Sequence, residues 1–242
     1  MRYLFKIEYD GTEFCGWQKQ KHAVSIQECL SNAAFQLTQE KVTFHGAGRT
    51  DSGVHALEQI AHVNFQQKYD LKRLKFGMNF YLRPKLIIIR DVQETYLHAR
   101  FDAVKKLYRY NIWNADVCSV FEKRYVWHLA RFLNIEKMQT ELKCLVGTND
   151  FSSFRDSQCS ANSTVRTLYS VSVTRVQEKI MIEFMGRAFL HSSIRIMVGT
   201  VVDVALGRLK TSLKEILHKK DRKYAGITAP ASGLFLCKVM YK

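Results

Sequence analysis

The residues of this chain best suited to chemistry lie at positions 46–56, in the stretch GAGRTDSGVHA. Its three glycines permit backbone conformations closed to other residues and let a ligand approach the main chain closely. Between them stand Arg49 and Asp51. A carboxylate can act as a nucleophile, a general base or a metal ligand. The pattern predicts a loop that presents Asp51 and Arg49 at a rim where a substrate reaches both.

Asp51 has two alternative roles, as a metal ligand and as a structural residue. A metal-binding role is disfavoured, because no neighbouring cluster of carboxylates or histidines supplies further ligands. His45 and His55 flank the loop without a recognisable metal-ligand spacing. The structural alternative is an aspartate that caps a turn by accepting hydrogen bonds from nearby backbone amides. The local pattern leaves the reactive and the structural roles of Asp51 open.

Arg195 is a candidate partner for this carboxylate. It lies in residues 188–199, a predicted helix with apolar residues on nearly all sides. A buried guanidinium needs a carboxylate, since leaving it unpaired costs about 3–5 kcal/mol. Asp203 lies two turns further along, roughly 12 Å up the axis, which is too far for easy pairing. Asp51 is then an attractive partner that Arg195 would hold in the ionised form. The alternative is an arginine that extends to solvent at the helix edge.

An aromatic stretch at 107–113, LYRYNIW, is the third candidate. In a strand, Tyr108 and Tyr110 point to one face and Arg109 to the other. Tyrosine can stack on a nucleobase, and arginine can bind phosphate. The alternative is an ordinary core strand.

The net charge indicates a polyanionic partner. Lys and Arg number 37 against 22 Asp and Glu, which gives a formal charge of +15. Such a field attracts nucleic acid or an anionic membrane surface. No run of about 18 apolar residues is present, and the N-terminal residues lack the apolar core of a signal peptide. We therefore expect a cytoplasmic protein that binds nucleic acid and no membrane.

Six cysteines are scattered along the chain without a C-x-x-C pair. That spacing disfavours a structural zinc site, and in a reducing compartment it disfavours a disulfide framework as well. We expect these cysteines to be small buried hydrophobes and predict no metal site.

Strands and helices mix in both halves of the chain, which predicts an α+β fold with mainly antiparallel pairing inside each half. We divide the chain into 1–104 and 105–242 and expect the two sheets to join into a central mixed sheet flanked by helices. Predicted strands are 2–9, 41–46, 57–65, 85–90, 105–113, 166–176, 179–185 and 233–241. Predicted helices follow the N-caps Ser25, Asn134 (through Leu145) and Ser212, and occupy 70–81 and 188–206.

A series of short motifs extends these candidates over nearly the whole chain. They are EYDG at 8–11, GWQ at 16–18, SIQ at 25–27, the loop at 46–56, HARF at 98–101, YRY at 108–110, GTNDFSSF at 147–154, FLH at 189–191 with Arg195 and VG at 198–199, and APASGL at 229–234. In order and spacing they resemble the pseudouridine synthases of the TruA type, which act on transfer RNA. The resemblance implies the pseudouridine synthase fold, with an active-site cleft between the two halves.

The resemblance also implies residue roles. Asp51 matches the nucleophile that attacks the target nucleotide, at C1′ of the ribose or at the uracil ring. Tyr108 matches the tyrosine that packs on the target base and helps to remove the C5 proton. Arg195 matches the basic residue that pairs with the aspartate. Arg49 matches the residue that enters the RNA helix as the uridine flips out, and we expect Arg109 and His55 to contact RNA as well.

The substrate implied is the 3′ side of the anticodon arm of tRNA, at uridines 38, 39 and 40. The resemblance further implies a homodimer in which one tRNA contacts both subunits, and no metal or organic cofactor. The chain departs from the family pattern at His191-Ser192, where two histidines are common. It departs again at 78–84, MNFYLRP, where the family reads closer to Val-Asn-x-x-Leu-Pro.

Two other functions are compatible with parts of the sequence. A non-catalytic RNA-binding protein would use the same basic surface without forming pseudouridine. An aspartate-dependent hydrolase or phosphotransferase would normally bring a second carboxylate or a metal-binding set. The glycine-containing loop also lacks the Lys-Ser/Thr ending of a nucleotide-binding P-loop, which disfavours that class.

Overall fold

Two units make up the chain in the computed structural model, which describes residues 1–157, 159 and 161–242. One unit is Met1–Val104 with Phe235–Lys242, and the other is Lys105–Leu234. The C-terminal strand, which we expected in the second half, therefore belongs to the first unit. It pairs in parallel with a strand of that unit, through Phe235 opposite His55 and Leu236 opposite Ala56.

The secondary structure is numbered in chain order. The strands are β1 (Arg2–Tyr9), β2 (His45–Gly46), β3 (His55–Asn64), β4 (Ile87–Glu94), β5 (Lys105–Trp113), β6 (Trp127–His128), β7 (Gly147–Asp150), β8 (Val165–Val176), β9 (Lys179–Gly186) and β10 (Leu234–Met240). The helices are α1 (Ile26–Thr38), α2 (Leu71–Leu82), α3 (Ile135–Lys143), α4 (Ser193–Ala205) and α5 (Leu213–Lys219).

Side-chain caps start the helices where the sequence predicted them. The Ser25 hydroxyl accepts a hydrogen bond from the Glu28 amide before α1, and the Asn134 side chain accepts one from the Lys137 amide before α3. At α5 the capping box is complete, because Glu215 also accepts from the Ser212 amide. Each cap satisfies an amide that has no partner inside the helix.

The first unit is a mixed sheet in the order β4-β1-β3-β10, with β2 paired to β3. Strand β1 is antiparallel to both of its neighbours. Its Tyr3, Phe5 and Ile7 are fully buried, which fits the alternation expected of a strand in a core. Helix α2 packs on β4 and on α1.

The second unit is also a mixed sheet, in the order β5-β9-β8-β7, with β6 parallel to β5. The predicted hairpin is confirmed: β8 and β9 are antiparallel, and Gln177 takes a left-handed conformation at the turn. Helix α3 packs on β8, and α4 is buried along nearly its whole length. Both units thus confirm the α+β class, with mixed sheets flanked by helices.

Several predicted boundaries were wrong. Of 41–46, only His45–Gly46 is a strand, because only these residues have a partner in β3. The predicted helix at 188–206 begins at Ser193, since Ser192 is left-handed, with φ of 56°. The helix capped by Asn134 ends at Lys143, and the strand predicted at 85–90 is Ile87–Glu94. Strands β6 and β7 were not predicted as strands.

Candidate active site

The loop at 46–56 joins β2 to β3, and its first half is fastened to β3. The Ala47 amide donates to the Ile60 carbonyl at 2.7 Å. The buried Gln59 side chain donates through Nε2 to the Gly48 carbonyl at 2.8 Å. Further on, the Val54 amide donates to the Asp51 carbonyl at 3.2 Å and closes a turn. The left-handed Gly53, with φ of 77°, belongs to this turn.

The other side of the loop is held by the N-terminal segment that follows β1. The Trp17 amide donates to the Thr50 carbonyl at 3.1 Å. The Phe14 carbonyl accepts from the Ser52 hydroxyl at 3.1 Å and from the Gly53 amide at 3.3 Å. These bonds fix the backbone on both flanks of Asp51.

A buried hydroxyl pair adds to this support. The Tyr9 hydroxyl and the Thr50 Oγ1 are 2.8 Å apart. Burial of Tyr9 raises the pKa of its phenol to about 12, although its hydrogen bond to Thr50 acts in the opposite direction. Tyr9 therefore stays neutral and serves as a hydrogen-bonding group at physiological pH.

Two glycines of the N-terminal segment allow the loop to pack this closely. Gly16 has φ of +103°, and a Cβ on it would lie 2.5 Å from the Thr50 carbonyl oxygen. A Cβ on Gly11 would overlap the Val54 carbonyl. The glycines of the EYDG and GWQ motifs thus have a structural role, since they let the N-terminal segment pack against the loop that carries Asp51.

The three candidate residues of the loop differ in exposure. Asp51 is half-buried and Arg49 is exposed, as expected for a rim. His55 is only 1% exposed. Its Nδ1 accepts from the Gly11 amide at 3.1 Å, and its ring stacks on Phe235 with centroids 4.6 Å apart. This geometry makes His55 a support of the loop, and RNA contact by its side chain stays a prediction.

In the second unit, Tyr108 lies on β5 opposite Phe184 of β9. Its side chain is 7% exposed, and its ring meets Phe189 edge-on with centroids 5.2 Å apart. Arg109 points to the other face, as the alternation predicted. There its Nη2 lies 2.8 Å from Oε1 of Glu183, which forms a half-exposed ion pair.

Arg195 lies on α4 and is half-buried. Its Nε donates to the Ala229 carbonyl at 2.8 Å, and the Ala229 amide donates to the Arg195 carbonyl at 3.1 Å. Next along the chain, the Pro230 carbonyl accepts from the Tyr110 hydroxyl at 2.8 Å. Burial raises the pKa of Tyr110, and the positive charge of Arg195 opposes that shift. Residues 229–233 therefore join the helix of Arg195 to the strand of Tyr108.

The segment 229–233 belongs to the motif APASGL, but its structural role was not predicted from the sequence. A Cβ on Gly199 would overlap the Ile227 carbonyl, and a Cβ on Gly233 would lie 2.7 Å from the Asn111 carbonyl oxygen. These glycines are the signal that could have indicated a close backbone approach. Asp203 is engaged elsewhere, as its distance from Arg195 suggested. It accepts from the Ile227 amide at 3.2 Å and pairs with Arg208 at 3.3 Å.

The predicted site residues thus belong to both units. Arg49, Asp51 and His55 share the loop of the first unit, while Tyr108 and Arg195 are held by the second. Pairing of Arg195 with Asp51 stays a prediction. Among residues 1–157, 159 and 161–242, no group of three or more His, Cys, Asp or Glu side chains could hold a metal ion. Within the same residues, no helix has the length and apolarity needed to span a membrane.

Comparison with known proteins gives the family. A family model described as tRNA pseudouridine synthase matches residues 6–102 and 142–242. The tRNA pseudouridine synthase A of Neorickettsia sennetsu is 42% identical over 245 residues and is covered to 100%, as is this chain. That of Thermoanaerobacter sp. is 41% identical over 241 residues, with 98% of each chain covered. That of Wolbachia pipientis subsp. Culex pipiens is 40% identical over 247 residues, with 100% of each covered. The chain belongs to the tRNA pseudouridine synthase family and is an isomerase.

Proposed function

We propose that this enzyme converts uridine to pseudouridine in the anticodon arm of tRNA, at uridines 38, 39 and 40. Relatives that match over the whole length of the chain are named tRNA pseudouridine synthase A. The formal charge of +15 favours binding of an RNA backbone. The three positions follow from the resemblance to the TruA type.

Asp51 is the proposed nucleophile. The observation that carries this proposal is a half-buried carboxylate on a backbone held at Thr50, Ser52 and Gly53. Such a loop keeps the carboxylate in one place while the substrate changes shape. Asp51 attacks the target nucleotide at C1′ or at the uracil ring, and the covalent intermediate keeps the nucleotide on the enzyme.

The reaction exchanges one bond to C1′ for another. The bond from N1 of uracil to C1′ breaks, the base rotates, and C5 bonds to C1′. The proton on C5 leaves and N1 gains a proton, so uridine and pseudouridine have the same atoms.

The enzyme needs to hold the detached base while it rotates. Tyr108 is suited to that role because Phe189 supports its ring edge-on. We propose that Tyr108 packs on the base and that its oxygen helps to remove the C5 proton.

Arg195 is proposed to pair with Asp51. Its hydrogen bond to the Ala229 carbonyl restricts the orientation of the guanidinium. A cation beside a half-buried carboxylate favours the ionised form, which is the nucleophilic one. Arg195 would thus act through Asp51 rather than on the base.

Arg49 is the proposed RNA contact at the rim of the loop. Flipping a uridine out of a helix costs a few kcal/mol, which stacking and phosphate contacts must offset. We propose that Arg49, an exposed arginine two residues from Asp51, fills the gap that the base leaves. We propose that Arg109, which pairs with Glu183, also binds a phosphate of the RNA. We propose further that His55 supports RNA binding by holding the loop at 46–56.

The nucleophile is tested with Asp51→Asn, which keeps the size of the side chain and removes its charge. We expect pseudouridine formation in unmodified tRNA to fall by about a thousandfold or more, while tRNA affinity changes little. Carbodiimide-dependent primer-extension stops map the product, and filter binding gives the affinity. Asp91→Asn, at an exposed position of the same unit, is the matched control and should behave as wild type. Substantial turnover by Asp51→Asn would exclude the nucleophile role.

We also propose that the enzyme acts in the cytoplasm as a homodimer whose two subunits both contact one tRNA. Light scattering of the purified enzyme should give twice the chain mass of 28.1 kDa. A monomer at working concentration would contradict the dimer without affecting the proposed chemistry.

A further inference from the structure

Helix α2 carries an exposed aromatic face that the proposed reaction does not use. Phe76 and Phe80 lie one turn apart and are 66% and 58% exposed. Tyr81 meets Phe80 edge-on with centroids 5.2 Å apart, and the Arg83 guanidinium carbon lies 5.3 Å from the Phe80 ring centroid. These four residues are called the α2 patch. The opposite face of the helix is buried through Leu74, Met78 and Leu82.

The surroundings of the α2 patch are positively charged. Residues 71–86 contain five cations and no carboxylate: Lys72, Arg73, Lys75, Arg83 and Lys85. In the part of the chain that the structure describes, none of the five makes an ion pair with a carboxylate. Contact between two copies of this face would oppose cation to cation. The charge therefore favours an anionic partner over a second copy of this chain.

The topology brings the C-terminal end of α2, with Phe80 and Arg83, to the same end of the first unit as the loop that carries Asp51. Tyr9 of β1 lies opposite Ala56 of β3 on one side and Ile87 of β4 on the other. The starts of β3 and β4 are therefore at one end of this sheet, separated by about 10 Å. The loop at 46–56 leads into β3, and the C-terminal end of α2 leads into β4. The Asn79 side chain bonds to the backbone of Ile89, so Phe76 lies further from this end than Phe80 does. The path from the loop to the patch is therefore longer than the spacing of the strand starts, and a strand of several nucleotides of RNA spans it.

We propose that the α2 patch binds unpaired nucleotides of the substrate RNA beside the target uridine. Bases stack on Phe76 and Phe80, while Arg83 and Lys72 contact the phosphates. Aromatic side chains accept any base in this way, and each stacked base is worth about tenfold or more in affinity. The proposal rests on the proposed function, which supplies RNA as the substrate. It also gives a role to the segment 78–84, where the chain departs from the usual family pattern.

The test compares two double variants of the full-length enzyme. Phe76→Leu with Phe80→Leu keeps apolar side chains and removes the rings, and Phe76→Trp with Phe80→Trp keeps aromatic rings. The probe is a hairpin RNA of an unmodified anticodon arm, together with versions that carry single abasic sites in the loop. Phe121→Ala, at a position 87% exposed in the other unit, is the control for loss of an exposed ring. Circular dichroism and thermal unfolding check that each variant is folded.

We expect the leucine variant, which lacks both rings, to bind the intact hairpin at least about tenfold more weakly, with a raised KM and an unchanged kcat, and the tryptophan variant to match wild type. At least one abasic site should weaken binding by wild type and have little further effect on the leucine variant. Equal hairpin affinity in the leucine variant and wild type would overturn the proposal. A leucine variant that lost the dimer, or lost binding to anionic vesicles, while keeping its RNA affinity would also overturn the proposal. Absence of pseudouridine with wild type would refute the proposed function, and the binding comparison would still decide on the patch.

Discussion

At the scale of single residues, the position of Asp51 depends on two glycines of the N-terminal segment. Gly11 and Gly16 have no Cβ, so the N-terminal segment can lie directly against the backbone of Thr50 and Val54. Ser52 and Gly53 then hydrogen-bond to Phe14. A loop whose backbone is held on both flanks of Asp51 keeps the carboxylate in one position, which is what the proposed nucleophile needs.

Gly16 offers a sharp test of this support. Gly16→Ala should displace the loop, because the new Cβ would meet the Thr50 carbonyl oxygen at 2.5 Å. We expect kcat to fall on the order of a hundredfold, since small misplacements of reacting groups are costly. The matched control is Gly147→Ala. Gly147 has nearly the same φ, +104° against +103°. Among the described residues, however, no heavy atom beyond Gly147 and its two chain neighbours lies within 4 Å of its Cβ position.

Both substitutions carry the left-handed backbone penalty of about 1–2 kcal/mol. Chemical denaturation would give the loss of unfolding free energy, and steady-state kinetics the loss of activity. Equal activity in the two variants would contradict the claim that Gly16 positions the loop.

At the scale of elements, short connecting segments join the strands and helices that carry candidate site residues. Residues 229–233 bond to Arg195 of α4 and to Tyr110 of β5. In the first unit, the HARF segment is joined to β3 in a similar way. The Ala99 amide donates to Nδ1 of His62 at 3.2 Å. The His62 ring stacks on His45 of β2 and meets His98, with centroids 5.0 and 4.4 Å apart.

His62 should make the stability of the first unit depend on pH. Burial, with the nearby positive charges of His98, Arg2 and His45, lowers the pKa of His62 from 6.5 to about 4. The unfolded chain therefore binds a proton at His62 below pH 6.5, while the folded chain does not until about pH 4. Stability is lost as the pH falls through this window, by up to about 3 kcal/mol.

Urea unfolding at pH 7 and pH 4.5 measures this loss. His62→Asn is the comparison, because an asparagine carboxamide oxygen can accept from the Ala99 amide without titrating. The decrease in unfolding free energy between the two pH values should be smaller in this variant by about 2 kcal/mol. His98, whose pKa is also lowered by burial, is present in both proteins, so the comparison isolates the contribution of His62. The same decrease in both proteins would exclude His62 as the cause.

At the scale of the whole molecule, the dominant feature is the formal charge of +15. Its cations are spread over both units, for example at 72–75 and at 219–223. A polyanion binding to such a surface displaces counterions from its phosphates. Added salt therefore opposes binding.

We expect the tRNA affinity of the wild-type enzyme to fall by about tenfold or more between 50 and 200 mM KCl. Filter binding over this range gives the slope of log K against log salt. Thermal unfolding measured in the same buffers controls for an effect of salt on the folded state. A flat response would count against an extended RNA-binding surface.

The sequence by itself determined those features of the structure that depend on residues close together in the chain. The N-caps Ser25, Asn134 and Ser212, the β8–β9 hairpin and the buried face of Tyr108 and Tyr110 were all predictable. A cap, a tight turn and a strand alternation each involve neighbours within a few positions, so local spacing reveals them. The loop at 46–56 was predicted for the same reason, from its glycines.

Tertiary structure alone decided the features that need partners far along the chain. It placed β10 beside β3, buried His55 under Phe235 and paired Arg109 with Glu183. The partners in these three cases are 74 or more positions apart. Their pairing depends on the packing energy of the assembled unit, which no local pattern of residues contains.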